Sequence, residues 1–291
     1  MMNVKFVKLI LIVIALVGVL CARGNSARQY DKIQDLEAKA AGQPANAELQ
    51  TQLGRAYFYK ARLGDAQAMD KATGTLERLA AASPANTEAG RWLGISYLLK
   101  VSLLSRSGAG PTEVMGAAER AAAAFDRVLE HSPNDALALG SHGFALTVSA
   151  GFKRSPDLFG RGIAEMNRAV SIDPLDIKPR LLRGFALINF PPPLRDLKTA
   201  KEDLTAILKG VAAGYNDRAE AVLHVFLGDV YLEAKETGSA KAEYEAAARM
   251  QQPAAEVARS RLVALEHGGP KPDEIQRYRE MANNCTVCHG R

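Results

Sequence analysis

The sequence predicts an all-α protein, an α-solenoid of about five helix pairs with a capping helix at either end and a short C-terminal tail that has chemistry of its own. Three observations predict it. A Pro-x-Asx punctuation recurs along the chain, small and large apolar residues alternate at helical spacing between the marks, and Cys285-Thr286-Val287-Cys288-His289 stands near the C-terminus.

Residues 1–24 read as an export signal. Lys5 and Lys8 precede an uncharged apolar run from Leu9 to Ala22. A membrane-spanning helix needs about 20 apolar residues, whereas the core of a secretory signal needs roughly 7–15. Ala22-Arg23-Gly24 supplies the small-x-small pattern a signal peptidase accepts. Cys21 offers the competing lipoprotein reading, but Leu20 stands where that site wants a small residue. Membrane attachment is therefore expected only through a lipidated Cys21 or a retained leader. Removing three cations and no acid with this segment takes the net charge from +5 to +2, and no basic run with interleaved aromatics remains to track nucleic acid. Cys285 and Cys288 are then the remaining cysteines, which suits an oxidising periplasmic or envelope location.

Residues 25–43 predict an N-terminal capping helix, with Tyr30, Ile33, Leu36 and Ala40 at helical spacing. The repeats follow over 44–253. Pro44-Ala45-Asn46, Pro84-Ala85-Asn86, Pro133-Asn134-Asp135 and Pro174-Leu175-Asp176 recur at spacings of 40, 49 and 41 residues, and Asn216-Asp217 makes a fifth start without the proline. Each proline stops one helix, and each Asn or Asp two places on can cap the next.

Between these marks the residues resemble the tetratricopeptide repeat. The first-helix signature stands as Leu53-Gly54-Tyr57, Leu93-Gly94-Tyr97 and Leu227-Gly228-Tyr231, and is weaker as Gly143 with Leu146 and Gly184 with Leu187. The second-helix signature stands as Ala72-Leu76-Leu79-Pro84, Ala121-Phe125-Val128-Pro133, Gly162-Met166-Ala169-Pro174 and Ala240-Tyr244-Ala247. The resemblance implies a right-handed solenoid in which small residues let paired helices approach and large ones fill the hollow between repeats. It also implies protein partners bound on the repeat surface, a redox partner or an envelope complex.

Residues beyond the 34-residue period of that family are expected as loops inside the pairs. They fall around Ser105 to Pro111, after an apolar run from Tyr97 to Leu104 that should lengthen the preceding helix, over Gly151 to Arg161, and at Pro191-Pro192-Pro193, which should be extended. The acids Glu202, Asp203, Glu243 and Glu245 read as solvated helix faces.

A second capping helix spans 254–269, with Val257, Leu262 and Leu265 on one side and Gly268-Gly269 as its stop. Residues 270–291 comprise a stiff Pro270-Lys271-Pro272 linker, a helix carrying Ile275, Tyr278 and Met281, and the cysteine motif. Cys-x-x-Cys-His is the attachment signature of c-type cytochromes. One helical turn brings both thiols to the two vinyl groups of a porphyrin edge, and the adjacent histidine reaches the iron. The resemblance to cytochromes c covers Cys285 to Gly290. It implies one covalent haem c on Cys285 and Cys288 with His289 as proximal ligand, and nothing further.

A thioredoxin-like dithiol would need a strand-helix setting, and consecutive Cys288 and His289 fit a single zinc ion awkwardly. A structural disulfide over so short a loop would constrain almost nothing. For a sixth ligand His267 is preferred, because it ends the preceding helix across a short linker; Met250, Met281, His224, His131 and His142 are the other candidates. No catalytic constellation or small-molecule site stands out elsewhere, so an enzyme is not predicted. The expected function is an envelope electron carrier that docks partners through its repeats. The alternative is a non-redox envelope scaffold or assembly factor.

Overall fold

The computed structural model describes residues 33–212 and 217–282. Among them every regular element is a helix: α1 (Ile33–Gly42), α2 (Ala47–Arg62), α3 (Ala66–Ala82), α4 (Thr87–Arg106), α5 (Pro111–His131), α6 (Ala136–Lys153) and α7 (Pro156–Ile172), followed by α8 (Ile177–Asn189), a 3₁₀ turn (Pro192–Leu194), α9 (Leu197–Ala212), α10 (Asp217–Glu233), α11 (Thr237–Arg249), α12 (Ala254–Glu266) and α13 (Pro272–Ala282). None of the described helices is long and apolar enough to cross a membrane.

The Pro-x-Asx marks work as helix punctuation. The side chains of Asn46, Asn86 and Asp135 accept from the backbone N–H groups of Leu49, Ala89 and Ala138 at 2.9–3.1 Å, and Asp176 accepts from Lys178 at 3.0 Å. Each satisfies an N–H that the first helical turn leaves without an internal acceptor. The second helices have caps of their own, Asp65 for α3 and Ser155 for α7.

The chain divides into two compact units between Pro174 and Leu175. In the first, α1 packs on α2, and the pairs α2/α3, α4/α5 and α6/α7 follow, with the first helices also meeting one another, α2 against α4 and α4 against α6. In the second, α8/α9 and α10/α11 form pairs, α12 packs on α10 and α11, and α13 packs on α10. Neighbours in sequence are thus neighbours in space, the mark of a solenoid-type helical repeat.

The glycine of each first helix lies under the second helix of its own pair. A Cβ at Gly54 would sit 2.6 Å from Leu76, at Gly94 2.5 Å from Phe125, and at Gly228 2.5 Å from Tyr244. Gly143 and Gly162 meet backbone to backbone, each lying 2.5 Å from the other's carbonyl oxygen if given a Cβ. The large residues expected between repeats therefore seal the inside of a pair. Between pairs, Tyr57 donates to Glu37 on α1 and Tyr97 donates to Glu77 on α3, the same link one repeat apart.

The loop expected around Ser105 to Pro111 is found at 107–110, after an α4 lengthened to 20 residues; the 21-residue α5 takes up the rest of the extra residues. Two other loop expectations are corrected. The predicted loop over 151–161 shrinks to Arg154 and Ser155, because Ser155 caps α7 and Pro156 occupies its first turn, where a missing N–H costs nothing. Pro191-Pro192-Pro193 is not fully extended: a 3₁₀ turn covers Pro192–Leu194, closed by Leu194 N–H donating to Pro191 O at 2.8 Å. The fixed proline φ falls within the 3₁₀ range, and one turn needs only that one donor.

Candidate functional site

Charge collects inside the second unit, where the sequence suggested solvated faces. Asp203 of α9 is 0% exposed, which corrects its reading as a surface acid. It stands over Gly184 of α8, with its Cβ 3.1 Å from where a glycine Cβ would lie, the place taken by Phe125 or Tyr244 in other pairs. Arg183 holds it with two bonds of 2.7 Å, and Arg180 adds a third at 2.9 Å. A buried carboxylate is tolerable when charge-assisted donors surround it in this way. The signal in the sequence was Arg180-Leu181-Leu182-Arg183-Gly184: two arginines one turn apart, beside a glycine that must face the partner helix.

A larger network lies on α10. Asp229 and Glu233 are four residues apart and share one helix face. Asp229 Oδ1 accepts from Tyr244 Oη of α11 at 2.7 Å and from Arg261 Nε of α12 at 3.0 Å, while Oδ2 accepts no hydrogen bond among the described residues. Burial raises the Asp229 carboxyl above its ordinary value, and the guanidinium groups of Arg279 and Arg261 only partly oppose it. Burial likewise raises the Tyr244 phenol, helped by the Asp229 charge. Glu233 accepts from Arg195 Nη1 at 2.7 Å, and Arg195 also donates to Phe190 O at 2.6 Å. Burial lowers Arg195 more than Glu233 restores it.

The last cation in this network arrives on α13. Gly268 and Gly269 have φ of 97° and 99°, a left-handed turn that glycine adopts without strain, and Gly269 N–H donates to Ala264 O at 2.8 Å to close α12. Glu274 then accepts from Lys271 N–H at 3.1 Å and starts α13. Its inward face is Ile275, Tyr278 and Arg279, exposed by 5%, 5% and 1%. The Tyr278 ring lies 5.8 Å from Phe226 of α10, which meets Phe185 of α8 edge to face at 5.1 Å. Arg279 Nη1 lies 2.9 Å from Glu233 Oε1 and donates to Ile188 O at 3.3 Å. The final helix is thus seated across the first helices α8 and α10, held by an aromatic contact and a buried ion pair.

No family model and no curated protein matches this chain. A solved structure described as "MamA RS-1 ArsTM double mutant" is similar to it, at 21% identity over 66% of this chain and 98% of that one, with a TM-score of 0.43.

Cys285, Cys288 and His289 lie outside the described residues, as do Asn216 and the export signal. Ala282, the last residue described, ends α13 three positions before Cys285. His267 is exposed at the C-terminal end of α12. The other histidines are engaged elsewhere: His142 Nδ1 lies 2.6 Å from Glu165 and Nε2 3.2 Å from Asp126, His224 Nδ1 lies 2.7 Å from Glu243, and His131 Nδ1 lies 3.0 Å from Arg127 O. Among the described residues no group of three or more His, Cys, Asp or Glu side chains is arranged to hold a metal ion.

The first unit has a recess between α1, α2 and α3, lined in part by Glu37, Gln50, Leu53, Tyr57 and Arg78. The hydrogen bond from Tyr57 holds Glu37 below the usual carboxylate range, and burial pushes the Tyr57 phenol up.

Proposed function

We propose that this is an exported helical-repeat protein that docks protein partners through its helix pairs and carries one covalent haem c at its C-terminus for electron transfer. The observation that carries the proposal is the donor set Cys285-Thr286-Val287-Cys288-His289, which follows in sequence, two residues on, a helix that packs on α10. Two thiols three residues apart and an adjacent imidazole fit the chemistry of thioether attachment and axial ligation. Cys285 and Cys288 would hold the group, and His289 would be the proximal ligand; His267 is the proposed distal ligand. When bound, the haem would supply one-electron redox chemistry.

The chain's own contribution is position and address. Ile275, Tyr278 and Arg279 fasten α13, the last described helix, to α8 and α10. Exposed and half-exposed residues of the first helices offer the docking surface, among them Trp92, which lies under Arg55 at 4.7 Å and beside Tyr59. Trp, Tyr and Arg are the residue types that dominate binding energy at protein interfaces.

The test is an intact mass measured on protein exported from a host with haem-ligation machinery. The expected mass is that of the processed chain plus one haem, lost in a Cys285→Ala, Cys288→Ala double variant. A wild-type mass equal to the bare polypeptide would end the electron-transfer reading. The helical-repeat fold equally suits the non-redox scaffold. That reading prevails if the double variant supports partner-dependent activity in full.

A further inference from the structure

We propose that the face of α8 and α10 is a receiving site for a partner protein's amphipathic helix, and that α13 occupies it in cis until that helix displaces it. The inference deepens the docking half of the proposed function and is independent of the haem.

The seat exists without its occupant. Asp229 is fixed by Tyr244 of α11 and Arg261 of α12, and Glu233 by Arg195 ahead of α9, none of which belongs to α13. Two acids one turn apart therefore remain in place to receive a guanidinium, and Asp229 Oδ2 is still without a hydrogen bond when Arg279 is docked. Phe226, backed by Phe185, forms the apolar half of the seat. The ligand chemistry follows from what α13 presents: an apolar residue, an aromatic three positions later, and an arginine immediately after it.

The occupant is lightly held. α13 has 11 residues, short enough that the isolated helix is marginal in water, so its helicity depends on docking. Of its described side chains only Ile275, Tyr278 and Arg279 are buried; Asp273, Glu274 and Arg277 are exposed. Burying an arginine costs much of what its ion pair returns. Ile275, Tyr278 and Arg279 hold α13 in place with help from its tether, Gly268 to Lys271, which presents the helix at an effective concentration of about millimolar. A partner helix that supplies the same apolar, aromatic and arginine side chains and reaches half-buried residues beside the seat, such as Tyr231 and Leu232 of α10, can therefore compete.

The test uses the full chain and a terminally blocked, fluorescein-labelled peptide of residues 271–282. Fluorescence anisotropy should show the peptide binding a Tyr278→Ala, Arg279→Ala chain at least tenfold more tightly than wild type, whose own helix competes. The same peptide with Arg279→Ala should bind the variant chain at least tenfold more weakly. Equal binding to both chains, or no binding to either up to millimolar peptide, overturns the proposal. Because that variant can lose its fold, a second measurement uses wild-type protein: excess peptide should accelerate amide exchange in 272–282, and unchanged exchange also overturns it. Concentration-dependent dimerisation with α13 exchanged between copies would replace the partner helix by a second copy and so refute the assignment. The haem plays no part in either readout, so failure here leaves the mass test of electron transfer unaffected.

Discussion

Gly143→Ala tests whether helix pairs close on glycine. A Cβ at this position would lie 2.5 Å from Gly162 O, 3.0 Å from Glu165 Cβ and 3.1 Å from Met166 N. Two of these three atoms are backbone, so no side-chain rotamer relieves the clash. Ordinary contact begins at 3.4 Å, leaving a shortfall of about 0.9 Å that α6 and α7 must absorb by parting. Overpacking of this kind costs about 1–3 kcal/mol. Replacing a helical glycine by alanine returns about 1 kcal/mol of helix propensity. The net expectation is a loss of up to about 2 kcal/mol. Gly116→Ala in α5 supplies the opposite sign, because nothing lies within 4 Å of its Cβ and only the propensity gain of up to about 1 kcal/mol applies. Urea denaturation followed by far-ultraviolet circular dichroism, with amide exchange in α6 and α7, reads both variants. If Gly143→Ala stabilises the first unit as Gly116→Ala does, the close approach of α6 and α7 is wrong.

The buried charges give two further predictions. Asp203→Ala takes the shared carboxylate from Arg180 and Arg183 and should destabilise the second unit by about 3 kcal/mol, the low end for breaking a buried pair because both arginines keep some solvent; an unchanged urea midpoint refutes it. Asp229 has its carboxyl raised by burial, so its contribution to stability is fully present below the unfolded value of about 3.9 and is lost as pH rises through the higher folded value. The stability of Asp229→Asn relative to wild type should therefore improve with rising pH across that window, and a pH-independent difference in urea midpoints would contradict it.

The helix punctuation and the pair contacts were legible from single residues because their causes are local. Asn46, Asn86 and Asp135 cap helices through N–H groups three residues away. Gly54, Gly94 and Gly228 show as small residues where paired helices approach, but only the structure puts Leu76, Phe125 and Tyr244 over them inside the pair rather than between repeats. The apolar run 97–104 likewise signalled a long α4. The loop expected over 151–161 proved shorter because a serine cap and a proline in the first turn of α7 let two helices join across two residues.

By itself the sequence determined that this is a chain of capped helix pairs ending in two thiols and an imidazole. Only the tertiary structure decided where the charges go. Whether Asp203 or Arg279 faces water depends on partners supplied by other helices, and Arg279 finds the Ile188 carbonyl 91 residues away. An arginine on a short polar helix looks solvated until the fold sets Glu233 and a free carbonyl opposite it, because burying a charge is favourable only where its partners are already held.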